Sequence, residues 1–303
     1  MPGMRKPGMD HEYYDWSPIV KRPPLRWPNG ERVALCVIVR LEHYEWKFAG
    51  DSYVSPDLPG GGLGRRAFPD IASFSYREYG NRVGIYRLME VLDKHNIRAT
   101  VALDATIARH YASLVRDCKT RGWEFIGHGE AVTRMITSQM SEERERDYIA
   151  RSLEAVEQAT GLRPVGWLGP EAGESTRTPA LLAEAGVRYV CDWPNDEQPF
   201  RMKVPNGTLC SLPTLVELDD AFAHWNRHVP IERWQRMLEE AFDVLYDDGA
   251  KSGRLMALTL SPWLSGQPFR VAYLDKALDY ICRRAGVWKA TGQEIIDWYL
   301  SQH

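Results

Sequence analysis

The sequence predicts an α/β fold closed into a barrel of about seven parallel strands, and three observations carry that expectation. The chain has 303 residues, 44% of them hydrophobic, enough for one large core. The run VALCVIVRL (33–41) is apolar without alternation, as a strand covered on both faces must be. From residue 80 onward strand-like and helix-like segments alternate, and repeated right-handed strand–helix–strand crossovers give a parallel sheet. About seven such units with no Gly-rich dinucleotide fingerprint favour a barrel over an open sheet.

Residues 1–31, rich in Pro and aromatics (WSPIVKRPPLRWPNGE), read as an extended N-terminal arm, and 32–303 as a single barrel domain. The arm's composition suits a subunit surface, so a homo-oligomer is expected. After the first strand, 47–79 reads as a long loop with a PGGGLGRR turn. It lacks the Lys-Ser/Thr ending of a phosphate loop, and a loop of this length is usually a functional lid. NRVGIYRLMEVLDKH predicts a helix over 81–95, followed by the strand IRATVALD, a helix near 106–121 and the strand WEFIGH. Ser141 is a good N-cap for the next helix. Glu142 and Glu143 fall in its first turn, Ile149, Leu153 and Val156 on one face, and Gly161 at its end. The strands PVGWLG and VRYVCDW flank a helix reaching about 185, and 203–218 is irregular strand material. A helix from about 231 carries Trp234, Leu238 and Leu245 on one face; LMALTLS (255–261) and two helices close the chain.

Composition narrows the function. A net charge of -3 from 38 basic and 41 acidic residues offers no nucleic-acid surface and no polybasic membrane patch. The five cysteines are dispersed without a C-x-x-C pair and read as buried, reduced thiols. With no apolar leader segment and no run of 18 apolar residues, the expected location is the cytoplasm and the expected substrate a small soluble molecule.

In parallel α/β folds the chemistry collects at the carboxyl ends of the strands. Those ends carry Glu42, His43 and Glu45; Asp104; His128 and Glu130; Trp167, Glu171 and Glu174; Asp192, Asp196 and Glu197; and Ser261, Trp263 and Arg270. A single carboxylate there is usually a helix cap or a loop ion pair. Titratable groups at six separate strand ends, interleaved with Trp and Gly-Pro turns, point to a catalytic site, the constellation rather than any one member being the signal.

At these positions the sequence resembles the polysaccharide deacetylase superfamily, and more closely its branch of metal-independent allantoinases and cyclic imide hydrolases. RWPNGERVAL, the E-H-Y-E segment, EYGNRVGIYR, RGWEFIGHG, TGLRPVGWLGP, TPALLAEAGVRYVCDWPNDEQP, GQPFR and GVWKATGQEIIDWY carry the likeness from about residue 26 to 300. The resemblance implies a distorted (β/α) barrel, usually of seven strands, and hydrolysis of a C–N bond in an amide, imide or ureide. The departures are specific. Glu42 and His43 stand where the family has an Asp-Asp pair. Val132 replaces the second histidine of the metal-binding H-x-x-x-H, Gly169-Pro170 replaces an Arg motif, and Ser261 replaces the acid histidine.

The expected mechanism needs no cofactor. Glu42 acts as general base for water or orients it, and His128, with His43, polarises the carbonyl or protonates the leaving nitrogen. Without a metal, a strained or activated ring amide is an easier target than a plain acetamide. His43, Trp167, Glu171, Asp192, Ser261, Trp263 and Arg270 are the substrate-pocket candidates, with core packing the alternative for the tryptophans and a structural ion pair for Arg270. Asp192 and Asp196 also suit the orientation of His128. Two readings compete: a metal-dependent deacetylase of an N-acyl substrate that rebuilds a divalent metal site such as zinc from His43, His128 and a carboxylate, and a non-catalytic binding relative.

Overall fold

A computed structural model describes residues 10–48, 50 and 69–302. In chain order the strands are β1 (Val33–Leu41), β2 (Thr100–Leu103), β3 (Glu124–Gly127), β4 (Gly166–Trp167), β5 (Tyr189–Val190), β6 (Phe200–Met202), β7 (Leu209–Ser211), β8 (Arg254–Leu260) and β9 (Val287–Lys289). The helices are α1 (Ile71–Tyr79), α2 (Ile85–Lys94), α3 (Ala105–His110), α4 (Ala112–Thr120), α5 (Glu142–Thr160), α6 (Thr178–Glu184), α7 (Ile231–Gly249), α8 (Pro262–Ser265), α9 (Pro268–Cys282) and α10 (Gly292–Gln302).

The main path runs β6-β7-β5-β4-β3-β2-β1-β8, parallel at every step except β6–β7, and β9 adds to the N-terminal half of β1. Among the described residues, leaving aside the β6 hairpin strand and β9, seven parallel strands curl into a barrel with no ladder between β7 and β8. Between β7 and β8 the seam is crossed by backbone hydrogen bonds from Leu215 to Ala257 (3.0 Å) and from Leu255 to Glu197 (2.8 Å).

Two-residue periodicity sorts the side chains. Val33, Leu35, Val37, Val39 and Leu41 of β1 pack outward with Met256, Leu258 and Leu260 of β8 under α2, α7 and α9. Ala34, Cys36 and Ile38 point inward with Ala102, Ile126, Cys191, Leu255 and Ala257. The register Ile38↔Thr100↔Glu124 and Ile38↔Thr259 aligns the inward rows. Continued two residues at a time, those rows end at Arg40 and Glu42, Asp104, His128 and Ser261. The chemistry is therefore the top layer of the barrel's own packing pattern.

The helices obey their sequence signals. α5 starts at Ser141, whose hydroxyl accepts from Arg144 N, and ends at Gly161 with φ 76°. The segment 71–79, expected as loop, is α1, capped by the Asp70 side chain on Ser73 N. Of the loop expected over 47–79, residues 49 and 51–68, which include the PGGGLGRR turn, lie outside the described residues, as do arm residues 1–9. The helix expected over 106–121 breaks at Tyr111 into α3 and α4. Arm residues lie on their own barrel: Leu25 and Trp27 are buried in the core, and Trp27 Nε1 donates to Arg254 O at 2.9 Å. Cys36, Cys118, Cys191 and Cys210 are buried free thiols, as expected, and Cys282 is half-buried. No helix among the described residues is long and apolar enough to cross a membrane.

Candidate active site

The mouth of the barrel is organised around Glu42. Its Oε1 lies 3.1 Å from His128 Nε2, its Oε2 accepts from Arg77 Nη1 at 2.9 Å, and its carbonyl accepts from Asn81 Nδ2 at 3.1 Å. Burial alone would raise its carboxyl. The hydrogen bond to His128 and the charges of Arg77 and Arg40 overcome that and bring it down to about 2. Burial opposes charge on His128 as well, but Glu42 raises its pKa. His128 Nδ1 faces Leu168 O at 2.5 Å. A carbonyl can only accept, so Nδ1 carries a proton, and an ionised Glu42 requires one on Nε2 also. The resting pair is carboxylate and imidazolium.

Arg77 reaches Glu42 from α1 and is sandwiched in place, its guanidinium 4.7 Å from the Trp263 ring. Arg40, inward at the end of β1, donates to Asp219 Oδ1 (3.1 Å), Asp220 Oδ1 (3.1 Å) and Ser261 Oγ (2.7 Å). Asp220 Oδ2 in turn accepts from Ser261 N (2.7 Å) and Ser265 Oγ (2.6 Å). Next to this group opens a cavity of about 190 Å³, lined among others by Arg40, His128, Glu171, Asp192, Asp219 and Thr259.

Glu171 enters the cavity from a tight turn, Gly169–Gly173, closed by Ala172 N→Gly169 O (3.0 Å) and Gly173 N→Pro170 O (2.9 Å). Glu171 and Ala172 have φ of 53° and 51°. This left-handed position after a turn proline ordinarily falls to Gly or Asn, and each non-Gly residue there costs about 1–3 kcal/mol. Burial and the neighbouring Glu42 raise the Glu171 carboxyl, against the pull of Arg77 and Arg40. Asp192 accepts from Gly169 N at 2.8 Å, and its other oxygen is buried against Glu174. Burial raises both carboxyls, so this pair retains a proton. Trp193 Nε1 holds Glu174 from behind at 3.1 Å.

Glu42, His128, Glu171, Asp192 and Ser261 thus converge as the strand ends predicted, Ser261 as a partner of Arg40. Four expectations need correction. Trp167 is fully buried on the outer face with Leu181, Leu182 and Val190, because it is out of phase with inward Gly166 and Leu168. Trp263 is absent from the cavity wall and supports Arg77 instead. Arg270 lies on α9 over the Phe269 ring, 4.8 Å away, outside the cavity. Asp196 does not face His128; it binds Arg22 of the arm through both oxygens, at 2.8 and 2.5 Å. His43 sits beside the site with its ring edge-on to Phe74 and its backbone N–H on Asp104. Arg40, Arg77 and Asp220 were missed. Arg40 had a signal, since it is the lone charge in VALCVIVRL and two residues before Glu42.

Among the described residues the donors a divalent metal needs are not gathered at one point. Both nitrogens of His128 are engaged, Val132 is a buried apolar side chain in place of a second histidine, and the His43 ring stands edge-on to Phe74 with its buried Nδ1 unpartnered among the described residues. No group of three His, Cys, Asp or Glu side chains among the described residues is arranged to hold one.

The Polysaccharide deacetylase family pattern matches residues 78–190 of the chain. It is 24% identical to a Schizosaccharomyces pombe (strain 972) protein bearing the polysaccharide deacetylase name, over 91% of this chain and 93% of that one. It superposes on the crystal structure of Puue allantoinase with a TM-score of 0.83 at 23% identity, covering 93% of this chain and 95% of that one. A Pseudomonas aeruginosa PAO1 structure with the polysaccharide deacetylase name gives a TM-score of 0.84 at 24% identity, again over 93% and 95%. These structural likenesses establish the distorted barrel fold.

Proposed function

We propose that the chain opens the ring of a small cyclic amide, imide or ureide by adding water to its carbonyl carbon, with protein groups alone supplying the chemistry. The observation that carries this reading is the setting of His128, whose Nδ1 faces Leu168 O and whose Nε2 lies 3.1 Å from Glu42 Oε1, at a cavity of about 190 Å³. Drug-sized ligands take pockets of roughly 300–1,000 Å³, so a single small ring suits this one better than a polymer. The structural neighbour named an allantoinase supports a cyclic ureide in particular.

Each Glu42 oxygen has one hydrogen-bond partner and keeps a lone pair for water. With its carboxyl near 2, Glu42 is a weak base, so it orients the nucleophile rather than deprotonating it. The fixed positive charge of His128 stabilises the oxyanion that forms on attack. Protein purified without added metal is expected to open cyclic imides or ureides with no change on chelation. Stoichiometric zinc, with activity lost to a chelator and restored by metal, would overturn the metal-free reading in favour of an N-acyl deacetylase.

A further inference from the structure

Resting on that reading, we propose that Glu171 is the proton shuttle of the reaction, taking a proton from the attacking water and delivering it to the leaving ring nitrogen. The balance closes on this one group. As the water oxygen bonds to the carbonyl carbon, one water proton moves to the Glu171 carboxylate. As the C–N bond breaks, the same proton moves to nitrogen, and the new carboxylic acid releases the second proton to solvent.

The other acidic groups of the mouth are committed elsewhere. Glu42 is held by His128 and Arg77, Asp219 and Asp220 by Arg40, and Asp104 caps α3 through Ile107 N. Asp192 is bound to Gly169 N and packed against Glu174. Ser261, in place of an acid histidine, has no acidic proton to give near neutral pH. Glu171 alone among these lines the cavity while accepting no hydrogen bond from the described residues, and its backbone is left-handed at a position glycine would fill without strain. The proposed role of its carboxylate accounts for a glutamate at this strained position. The charged groups facing it are Glu42, Asp219, Arg40 and Arg77, and with burial they leave its proton affinity above that of an ordinary glutamate, as a base that must later act as acid requires.

The test pairs melting with ring opening for wild type, Glu171→Gly and Glu171→Gln, on a panel of cyclic imides and ureides with and without sodium formate. Glu171→Gly is expected to melt no lower than wild type, since strain is relieved. Its kcat should fall by roughly 10²–10⁴-fold with KM little changed. Formate, a small carboxylate that fits the vacated space, should restore part of the rate in Glu171→Gly but not in Glu171→Gln, whose amide fills it. Full activity in either variant overturns the shuttle. So does a Glu171→Gly protein that melts lower and is not rescued, which is the behaviour of a structural residue. A wild type inert toward the whole panel overturns the hydrolytic reading itself, and the shuttle with it.

Discussion

Replacing Glu42 by Gln leaves the Arg77 guanidinium and the His128 imidazolium facing an uncharged amide in a buried site. Breaking one partner of a buried ion pair typically costs about 3–5 kcal/mol, and urea denaturation of Glu42→Gln at neutral pH should show a loss of that order beside a loss of activity. The pH dependence follows with its sign. Glu42 is held at about 2 against an ordinary 4.5, so it contributes stability that is complete above 4.5 and lost as pH falls toward 2. Glu42→Gln should flatten the acid limb of a stability–pH curve. His128 works in the other direction: its pKa is raised above the ordinary 6.5, so its contribution is complete below 6.5 and disappears as pH rises through the folded value. At this scale Glu42 and His128 were legible because each ends an apolar strand. Arg77 was not, because its segment reads as loop and its contact with Glu42 spans 35 positions. Trp167 was misplaced by parity: one residue along a strand reverses the face.

The helices behind the site depend on glycine. A Cβ on Gly84 would lie 2.0 Å from Pro262 O, and one on Gly80 2.6 Å from Trp263 N. The π-helical turn at 80–84 and the short α8 therefore pack backbone to backbone. Gly84→Ala should cost about 1–3 kcal/mol through overpacking. Because α8 carries Trp263, which backs Arg77, its activity should fall by more than the stability loss explains; thermal melting and kcat/KM on the same sample would show it. Strands and long helices were readable from period, caps and breakers, as Ser141 and Gly161 show for α5. The start of α1 was not, since Asp70 is its cap but a Pro and Gly-rich stretch immediately precedes it and masks the signal. The break at Tyr111 likewise has no Gly or Pro to announce it.

At the scale of the molecule, the arm is joined to the site. Tyr13 and Tyr14 pack on Trp193, with ring centroids 5.1 and 6.0 Å away. Trp193 holds Glu174, which faces Asp192, which fixes Gly169 at the base of the Glu171 turn. Tyr13→Ala with Tyr14→Ala should lower kcat several-fold, on the order of 1 kcal/mol of misplacement, and steady-state kinetics beside a far-UV spectrum would separate this from unfolding. The barrel was legible in the strand–helix rhythm; its bridged seam between β7 and β8 was not, because hydrogen bonds outside regular strands leave no periodic trace.

The pairing of β1 also sets an order of events during synthesis. This first strand hydrogen-bonds to β8 and β9, whose residues emerge more than 200 positions later. This strand, second from the β8 end of the path, therefore waits, half-paired and apolar, until almost the whole chain has left the ribosome. Such long-range closure slows folding and exposes sticky intermediates. Nascent chains halted before residue 254 should stay protease-sensitive and lean on chaperones, and only those extending past residue 289 should acquire the resistance of the finished protein.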